Sequence, residues 1–130
     1  MIKLLFPGLP ISDNQLYQYN KSTCGRFLSL EAKSYKAEIL RETKYQLFDT
    51  DTSELRNKKL KLNIVVYSDT WVNERQGKIK KIDIHNLSKA LIDSIFEALE
   101  MDDSFVWEVN MRKADIITTK QTEVTIETLD

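Results

Sequence analysis

Several polar residues in the second half of the chain have types and spacings that suit phosphodiester hydrolysis. His85, Lys89 and Asp93 are four residues apart, which predicts a single polar ridge on a helix. Asn86 lies beside this ridge, and Asp83 stands just before the first turn of the predicted helix. The pattern therefore brings a carboxylate, an imidazole, an amide and an ammonium within reach of one another.

A second acidic pair, Asp102-Asp103, follows the predicted helix directly. Carboxylates from two separate elements, together with a lysine, form the set of residues that a divalent-metal phosphodiesterase needs. The carboxylates hold a hard cation, the cation activates water and stabilises the charge that develops on the phosphate, and the lysine adds positive charge nearby.

Each of these features also has an ordinary structural interpretation. An Asp before a helix is commonly an N-cap, and two acids after a helix are commonly a solvated turn. A lone histidine in a first helical turn is commonly an exposed surface residue, and Lys89 with Asp93 is a common i,i+4 pair. Spacing alone leaves the catalytic and the structural interpretations open.

A cationic segment precedes the predicted helix. Four basic residues fall within seven positions with no acid between them: Arg75, Lys78, Lys80 and Lys81. Gly77 lends this segment mobility, and Trp71 is a candidate stacking group. A flexible cationic loop that leads into a carboxylate cluster suits a polyanionic substrate, because the loop neutralises phosphates. The alternative is a solvated linker with Trp71 buried in the core.

Length and composition limit the remaining choices. The 130 residues are 42% hydrophobic, which suits one domain spanning residues 1–130. The formal net charge of −1 means that any nucleic-acid binding must depend on local clusters of charge.

The single cysteine, Cys24, excludes an internal disulfide and a thiolate zinc cage and fits a reducing cytoplasm. The start, MIKLLFPGLP, is too short for a signal peptide or a membrane span, so we expect a soluble protein.

The elements that must position these residues follow from hydrophobic periodicity. In chain order we predict a strand at 2–6, an ordered loop at 9–27, a helix from a Ser29 cap to about residue 48, a strand from residue 59, a loop at 68–82, a helix at 85–99, and strands at 105–113 and 123–129. We expect the last two strands to pair as a hairpin through Thr118-Thr119-Lys120. The order β-α-β-α-β-β predicts an α+β fold, a mixed sheet with two helices packed on one face.

The segment KKIDIHNLSKALIDSIFEALEMDDSFV resembles the RusA family of Holliday-junction resolvases of bacteria and their phages. The family motif is a basic run, an Asp-x-Asp-Asn sequence, a lysine four residues after the second Asp, an Asp four residues further, and an Asp-Asp pair before a strand. The matching positions are Lys78, Lys80, Lys81, Asp83, Asn86, Lys89, Asp93, Asp102 and Asp103. Upstream, FPGLPISDNQLY is similar to the family's first strand and Ser-x-Asn turn, which places Pro10, Ser12 and Asn14.

One position departs from the family pattern. His85 stands where the family usually has its second motif acid. Imidazole ligates divalent cations, but it is neutral and softer than a carboxylate. We therefore expect the affinity for Mg²⁺ to be lower than in the family and Mn²⁺ to be bound relatively better. Metal-dependent cleavage like that of the family stays compatible with the sequence, because one ligand is replaced by another.

The resemblance implies a homodimeric endodeoxyribonuclease that nicks opposing strands of a four-way DNA junction, in the cytoplasm of a bacterial or phage-infected cell. It implies that Asp83, His85 and Asp103 bind Mg²⁺ or Mn²⁺, and that Lys89 positions the phosphate or stabilises the transition state. The residues expected to support the ligands are Asn86, Asp93 and Asp102. The residues expected to contact DNA are Asn14, Arg75, Lys78, Lys80, Lys81 and Lys89.

Two other functions stay open. One is a branched-DNA-binding protein that has lost catalysis through the change at His85, and it would bind junctions without nicking them in Mg²⁺ or Mn²⁺. The other is a small interaction module with no nucleic-acid role, and it would show no salt-dependent DNA binding.

Overall fold

The computed structural model describes residues 1–22, 25–73 and 75–129, which form two compact units. The first unit comprises Met1–Leu9, Thr52–His85 and the segment from Ser104 onward, and the second comprises Pro10–Asp51 and Asn86–Asp103. Each unit is therefore assembled from segments that are distant in sequence. Cys24 lies outside the described residues, and the expectation of a single domain stays a prediction.

The part of the chain that the structure describes contains eight strands and two α-helices. In chain order they are β1 (Ile2–Pro7), β2 (Tyr17–Asn20), β3 (Gly25–Leu28), α1 (Leu30–Gln46), β4 (Leu60–Ser68), β5 (Val72–Asn73), β6 (Lys78–Ile79), α2 (Lys89–Leu99), β7 (Val106–Asp115) and β8 (Gln121–Thr128). The expected α+β class, with a mixed sheet and two helices, is confirmed. Neither helix of the described chain is long and apolar enough to span a membrane.

The first unit is built on a four-stranded sheet in the order β1-β8-β4-β7. Strand β4 pairs antiparallel with β8 and parallel with β7, so the sheet is mixed. Every second residue of β4 is buried, and the intervening residues are only partly so. This is the two-residue period that the sequence predicted from Leu60 onward, and it places one face of β4 in the core.

The predicted hairpin between the last two strands is wrong. Strand β4 lies between β7 and β8, and Ile64 faces Met111 on one side and Val124 on the other. Alternating hydrophobicity identifies the buried face of a strand but carries no information about its neighbours. Strands β4 and β8 take the two interior positions of this sheet, while β7 pairs only with β4 among the described residues.

The second unit contains α1, α2 and a small β-hairpin. Ser29 caps α1 as predicted, and its Oγ accepts a hydrogen bond from the Ala32 backbone N–H at 3.0 Å. The helices α1 and α2 pack on each other, and Leu16, Ala32 and Ala90 form a buried cluster with three partly buried side chains, Ile11, Leu28 and Tyr35. This cluster fixes the segment before β2 against the first turn of α2.

Two segments predicted as loops contain short hairpins. Strands β2 and β3 pair antiparallel within the expected loop at 9–27, and β5 and β6 pair within the expected loop at 68–82. The residues of β2 and β3 are all exposed or only partly buried. A hairpin without a buried face lacks the alternation of apolar residues that reveals a strand in a sequence.

The second helix begins later than predicted. Residues Ile84–Leu87 form a 3-10 turn, and α2 starts at Lys89, so His85 does not continue a helical ridge with Lys89 and Asp93. At its other end, Glu100 adopts a left-handed conformation with φ of 55°, and the Met101 N–H donates to the Phe96 carbonyl at 3.0 Å. This closure ends the helix immediately before the Asp102-Asp103 pair.

Candidate active site

Asp83 and His85 lie at the end of the Thr52–His85 segment of the first unit and interact with each other. The Asp83 Oδ1 atom is 3.0 Å from the His85 Nε2 atom and accepts a hydrogen bond from the His85 backbone N–H at 3.4 Å. Both side chains are exposed. Asp83 therefore caps the 3-10 turn, whereas the sequence placed it at the start of the α-helix.

The cationic segment, Arg75 to Lys81, also belongs to the first unit. All four of its basic side chains are exposed. The backbone N–H of Arg75 donates to Asn73 Oδ1 at 3.2 Å, and Gly77 has φ of 60°, which forms the tight turn between β5 and β6. Arg75 and Lys78 therefore belong to a small hairpin, and Lys80 and Lys81 follow it directly.

Trp71 is buried, so the suggestion that it stacks on a base is wrong. Its Nε1 donates to the Ala114 carbonyl at 2.9 Å, and it is 7% exposed. The Lys113 ammonium lies 5.1 Å from the centre of the Trp71 ring and donates to the Ile82 carbonyl. Trp71 and Lys113 thus brace the segment that leads to Asp83.

The second unit holds the lysine and the remaining acids. The Lys89 Nζ atom lies 3.6 Å from Asp93 Oδ2, which confirms the predicted i,i+4 pair. A cavity of about 250 Å³ opens at the C-terminal part of α2, and four acids are among its lining residues: Asp93, Glu97, Asp102 and Asp103. Negative charge is therefore concentrated at this part of α2, and the Lys89 ammonium pairs with one of these acids, Asp93.

The pKa of Asp103 is raised above its ordinary value. Desolvation is the largest cause, followed by a side-chain hydrogen bond with Asp93 and by the negative charges of Asp93 and Asp102. The Lys89 charge acts in the opposite direction and only partly offsets them. The fold therefore holds Asp103 in a place where its negative charge is unfavourable, which is common at functional sites.

Asp13 is a member of this cluster that the sequence did not indicate. Its carboxylate accepts a hydrogen bond from the Lys89 backbone N–H, at the first residue of α2. Desolvation is the largest cause and raises the pKa of Asp13, and the negative charge of Asp93 raises it further. The Lys89 backbone N–H and ammonium lower this pKa but only partly offset the increase. The Oδ1 atom of Asp13 is buried and has no hydrogen-bond partner among the described residues.

A hydrogen-bonded turn holds Asp13 and Asn14 in place. The Ser12 Oγ atom accepts from the Asn14 N–H at 3.3 Å, and the Ser29 hydroxyl donates to the Gln15 carbonyl at 2.7 Å. Leu16 follows the turn directly and is buried with Ala90 of α2. The only sequence clue to Asp13 was its place between the two motif residues of the Ser-x-Asn turn, and its contact with Lys89 arises from folding.

The donor chemistry of these residues fits a hard divalent cation. Carboxylate oxygens are the ligands that Mg²⁺ and Mn²⁺ prefer, and a cation would offset the charge that raises the pKa of Asp103. Within each unit, the described residues contain no group of three or more His, Cys, Asp or Glu side chains arranged as a metal cage. The ligand set Asp83, His85 and Asp103 stays a prediction.

The chain thus combines an α+β fold, an acidic cluster around a lysine and an exposed cationic hairpin, a combination suited to a phosphodiesterase that acts on nucleic acid. It matches the family model described as endodeoxyribonuclease RusA over residues 7–127, and it therefore belongs to the RusA endodeoxyribonuclease family. The match covers nearly all of the 130 residues and both compact units. No curated protein was found to match the chain.

Proposed function

We propose that the protein is a metal-dependent, structure-specific endodeoxyribonuclease that resolves four-way DNA junctions by paired nicking, in recombination or repair. Membership of the RusA family is the observation that carries this proposal. The acidic cluster beside Lys89 supports it, because such a cluster suits the cation and phosphate chemistry of strand cleavage.

In this proposal Asp83, His85 and Asp103 hold Mg²⁺ or Mn²⁺, which when bound activates water and neutralises charge on the scissile phosphate. Lys89 holds its ammonium near the phosphate that is cut. Asp93 restrains that ammonium at 3.6 Å. Lys89 is also the first residue of α2, where its backbone N–H donates to the Asp13 carboxylate.

DNA affinity in this proposal comes mainly from phosphate contacts by the cationic segment, with a further contact from Asn14. Exposed lysines and arginines on a small hairpin can follow a phosphate backbone without reading its sequence. Asn14 is exposed on the turn that packs against α2. Recognition of a junction would then depend on its shape and on the spacing of its phosphates.

Paired nicking requires two active sites, which a homodimer supplies. Strand β7 supports an interface, because it is an edge strand with exposed apolar side chains at Trp107 and Val109. The Lys59 ammonium lies 4.3 Å from the centre of the Trp107 ring. An exposed tryptophan on an unpaired edge is unusual for a monomer and common at interfaces.

The test is cleavage of a synthetic four-way junction by the Asp83→Asn and Asp103→Asn proteins, with Glu100→Gln as a control acid outside the proposed ligand set. Each Asp variant should lose nearly all nicking, whereas the control should keep it. Unchanged cutting by either Asp variant would refute the site assignment. Tight junction binding without nicking by the wild-type protein would instead identify a branched-DNA-binding protein.

A further inference from the structure

The β2–β3 hairpin carries aromatic side chains that the core does not use. Tyr19 is 61% exposed, and Tyr17 and Phe27 are exposed as well. The base of the hairpin is anchored, because the Ser29 N–H donates to the Leu16 carbonyl at 2.9 Å and Leu16 lies in the buried cluster. The aromatic rings thus project from a fixed support into solvent.

The hairpin is also locally cationic. Residues 17–28 contain Lys21 and Arg26 and no acid, although the whole chain has a formal net charge of −1. The Arg26 guanidinium lies 4.9 Å from the centre of the Tyr17 ring. In the antiparallel register Tyr19 is opposite Arg26, so Tyr17, Tyr19 and Arg26 share one face of the hairpin.

A groove of about 410 Å³ adjoins this face. Its lining includes Tyr17 together with Asn14, Gln15, Gln18, Ser29 and Glu31. Side-chain amides donate and accept hydrogen bonds at the edges of nucleobases, and the Tyr17 ring offers a surface for stacking. An aromatic ring, several amides and a nearby guanidinium form the combination that binds an unpaired base beside a phosphate.

We propose that this groove and the aromatic face beside it bind an unpaired nucleobase at the branch point of DNA. The inference rests on the proposed action on branched DNA and adds a direct contact with a base. Charge complementarity supports this occupant, since a polyanion with aromatic bases matches exposed rings on a hairpin whose residues 17–28 carry two cations and no acid, with Glu31 the one acid among the residues that line the groove. Phosphate contacts by the cationic segment would supply affinity, and this groove would supply the preference for unpaired sites.

The experiment compares binding of two DNAs of equal length, a four-way junction with one unpaired base at the crossover and a fully paired duplex. Binding is measured without divalent cations, so that no strand is cut. Tyr17→Ala should weaken junction binding about tenfold, the usual strength of one base–aromatic stack, and should leave duplex binding unchanged. Tyr17→Phe should restore junction binding, because it keeps the ring.

Two further variants make the test specific. Gln18→Ala, which removes an exposed amide from the groove, should weaken junction binding by a smaller factor without disturbing the fold. Tyr45→Ala is the matched control, because Tyr45 is a 79% exposed aromatic residue on α1 outside the hairpin. It should bind both DNAs as the wild-type protein does.

Several outcomes would overturn the inference: equal loss on junction and duplex, no loss with either groove variant, or a loss with Tyr45→Ala of the same size. A change of oligomeric state in Tyr17→Ala, measured by sedimentation, would identify a second copy of the chain as the occupant. A different result would refute the proposed nuclease function and leave the groove proposal standing. A wild-type protein that binds the junction without nicking, and loses that binding with Tyr17→Ala, would refute the nuclease proposal and support the groove.

Discussion

Replacing Asp13 by Asn should make the protein more stable at neutral pH, although it removes a charge that faces a lysine. The pKa of Asp13 is raised by desolvation and by Asp93, and Lys89 only partly offsets this. A carboxyl whose pKa is higher in the folded than in the unfolded protein contributes no penalty below the unfolded value of about 3.8, where it is protonated in both states. Stability is lost as the pH rises from there through the folded pKa.

The change in folding stability at position 13 has two parts, one from the charge of the carboxylate and one from its hydrogen bond. Each unit by which the pKa is raised destabilises the ionised form by about 1.4 kcal/mol, reduced by solvent because the carboxyl is partly exposed. Asn removes this penalty and keeps an oxygen that accepts from the Lys89 N–H, whereas Ala removes both. Because Ser88 provides no side-chain cap to the described part of α2, we expect Asp13→Ala to be less stable than Asp13→Asn by about 1 kcal/mol.

Urea unfolding of the three proteins at pH 7 and near pH 3.5, with EDTA present, measures both effects. The advantage of Asp13→Asn over the wild-type protein should be clear at pH 7 and should shrink towards zero at the acidic pH. An Asn variant that is less stable than wild type at pH 7 would show that attraction to Lys89 dominates. Equal stability of the Asn and Ala variants would refute the capping hydrogen bond.

Three further outcomes are expected. Asp103→Asn should raise the melting temperature at pH 7 in EDTA, because desolvation, the hydrogen bond with Asp93 and the neighbouring negative charges raise the Asp103 pKa. The rise should fade as the pH falls towards 3.8, and an unchanged melting temperature at pH 7 would contradict this expectation. Lys80→Gln should weaken DNA binding and reduce the slope of log affinity against log salt by about 0.9, if Lys80 contacts one phosphate. Ser29→Ala should lower the free energy of unfolding, measured by urea titration, by at least about 1 kcal/mol, because it removes the α1 cap and also the hydrogen bond to the Gln15 carbonyl.

The elements predicted well are those whose own residues determine them. The alternation in β4 and the serine cap of α1 are local patterns, and both are present as expected. Strand order is not local, so the sequence could not show that β4 separates β7 from β8. The β2–β3 hairpin was missed because neither of its faces is buried.

In the candidate site, too, the contacts between residues close in sequence were predictable and the contacts made by folding were not. The Lys89–Asp93 pair follows from helical spacing and is present, whereas extending that spacing back to His85 failed because a 3-10 turn precedes the helix. Asp13 reaches Lys89 only through the packing of Leu16 on Ala90, which no motif encodes. Trp71 has the residue type for base stacking, and only its hydrogen bond and burial showed a structural role.

Cleavage of a synthetic four-way junction in Mg²⁺ and in Mn²⁺, by the wild-type and His85→Asp proteins, tests the proposed function most directly. We predict paired nicks in opposing strands that require a divalent cation, with Mn²⁺ more effective than Mg²⁺ for wild type and a shift towards Mg²⁺ for His85→Asp. If His85→Asp nicks with the same activity and the same metal preference as the wild-type protein, His85 is not one of the metal ligands. Junction binding without nicking in either cation, by both proteins, would contradict the proposal that the chain is a resolving nuclease.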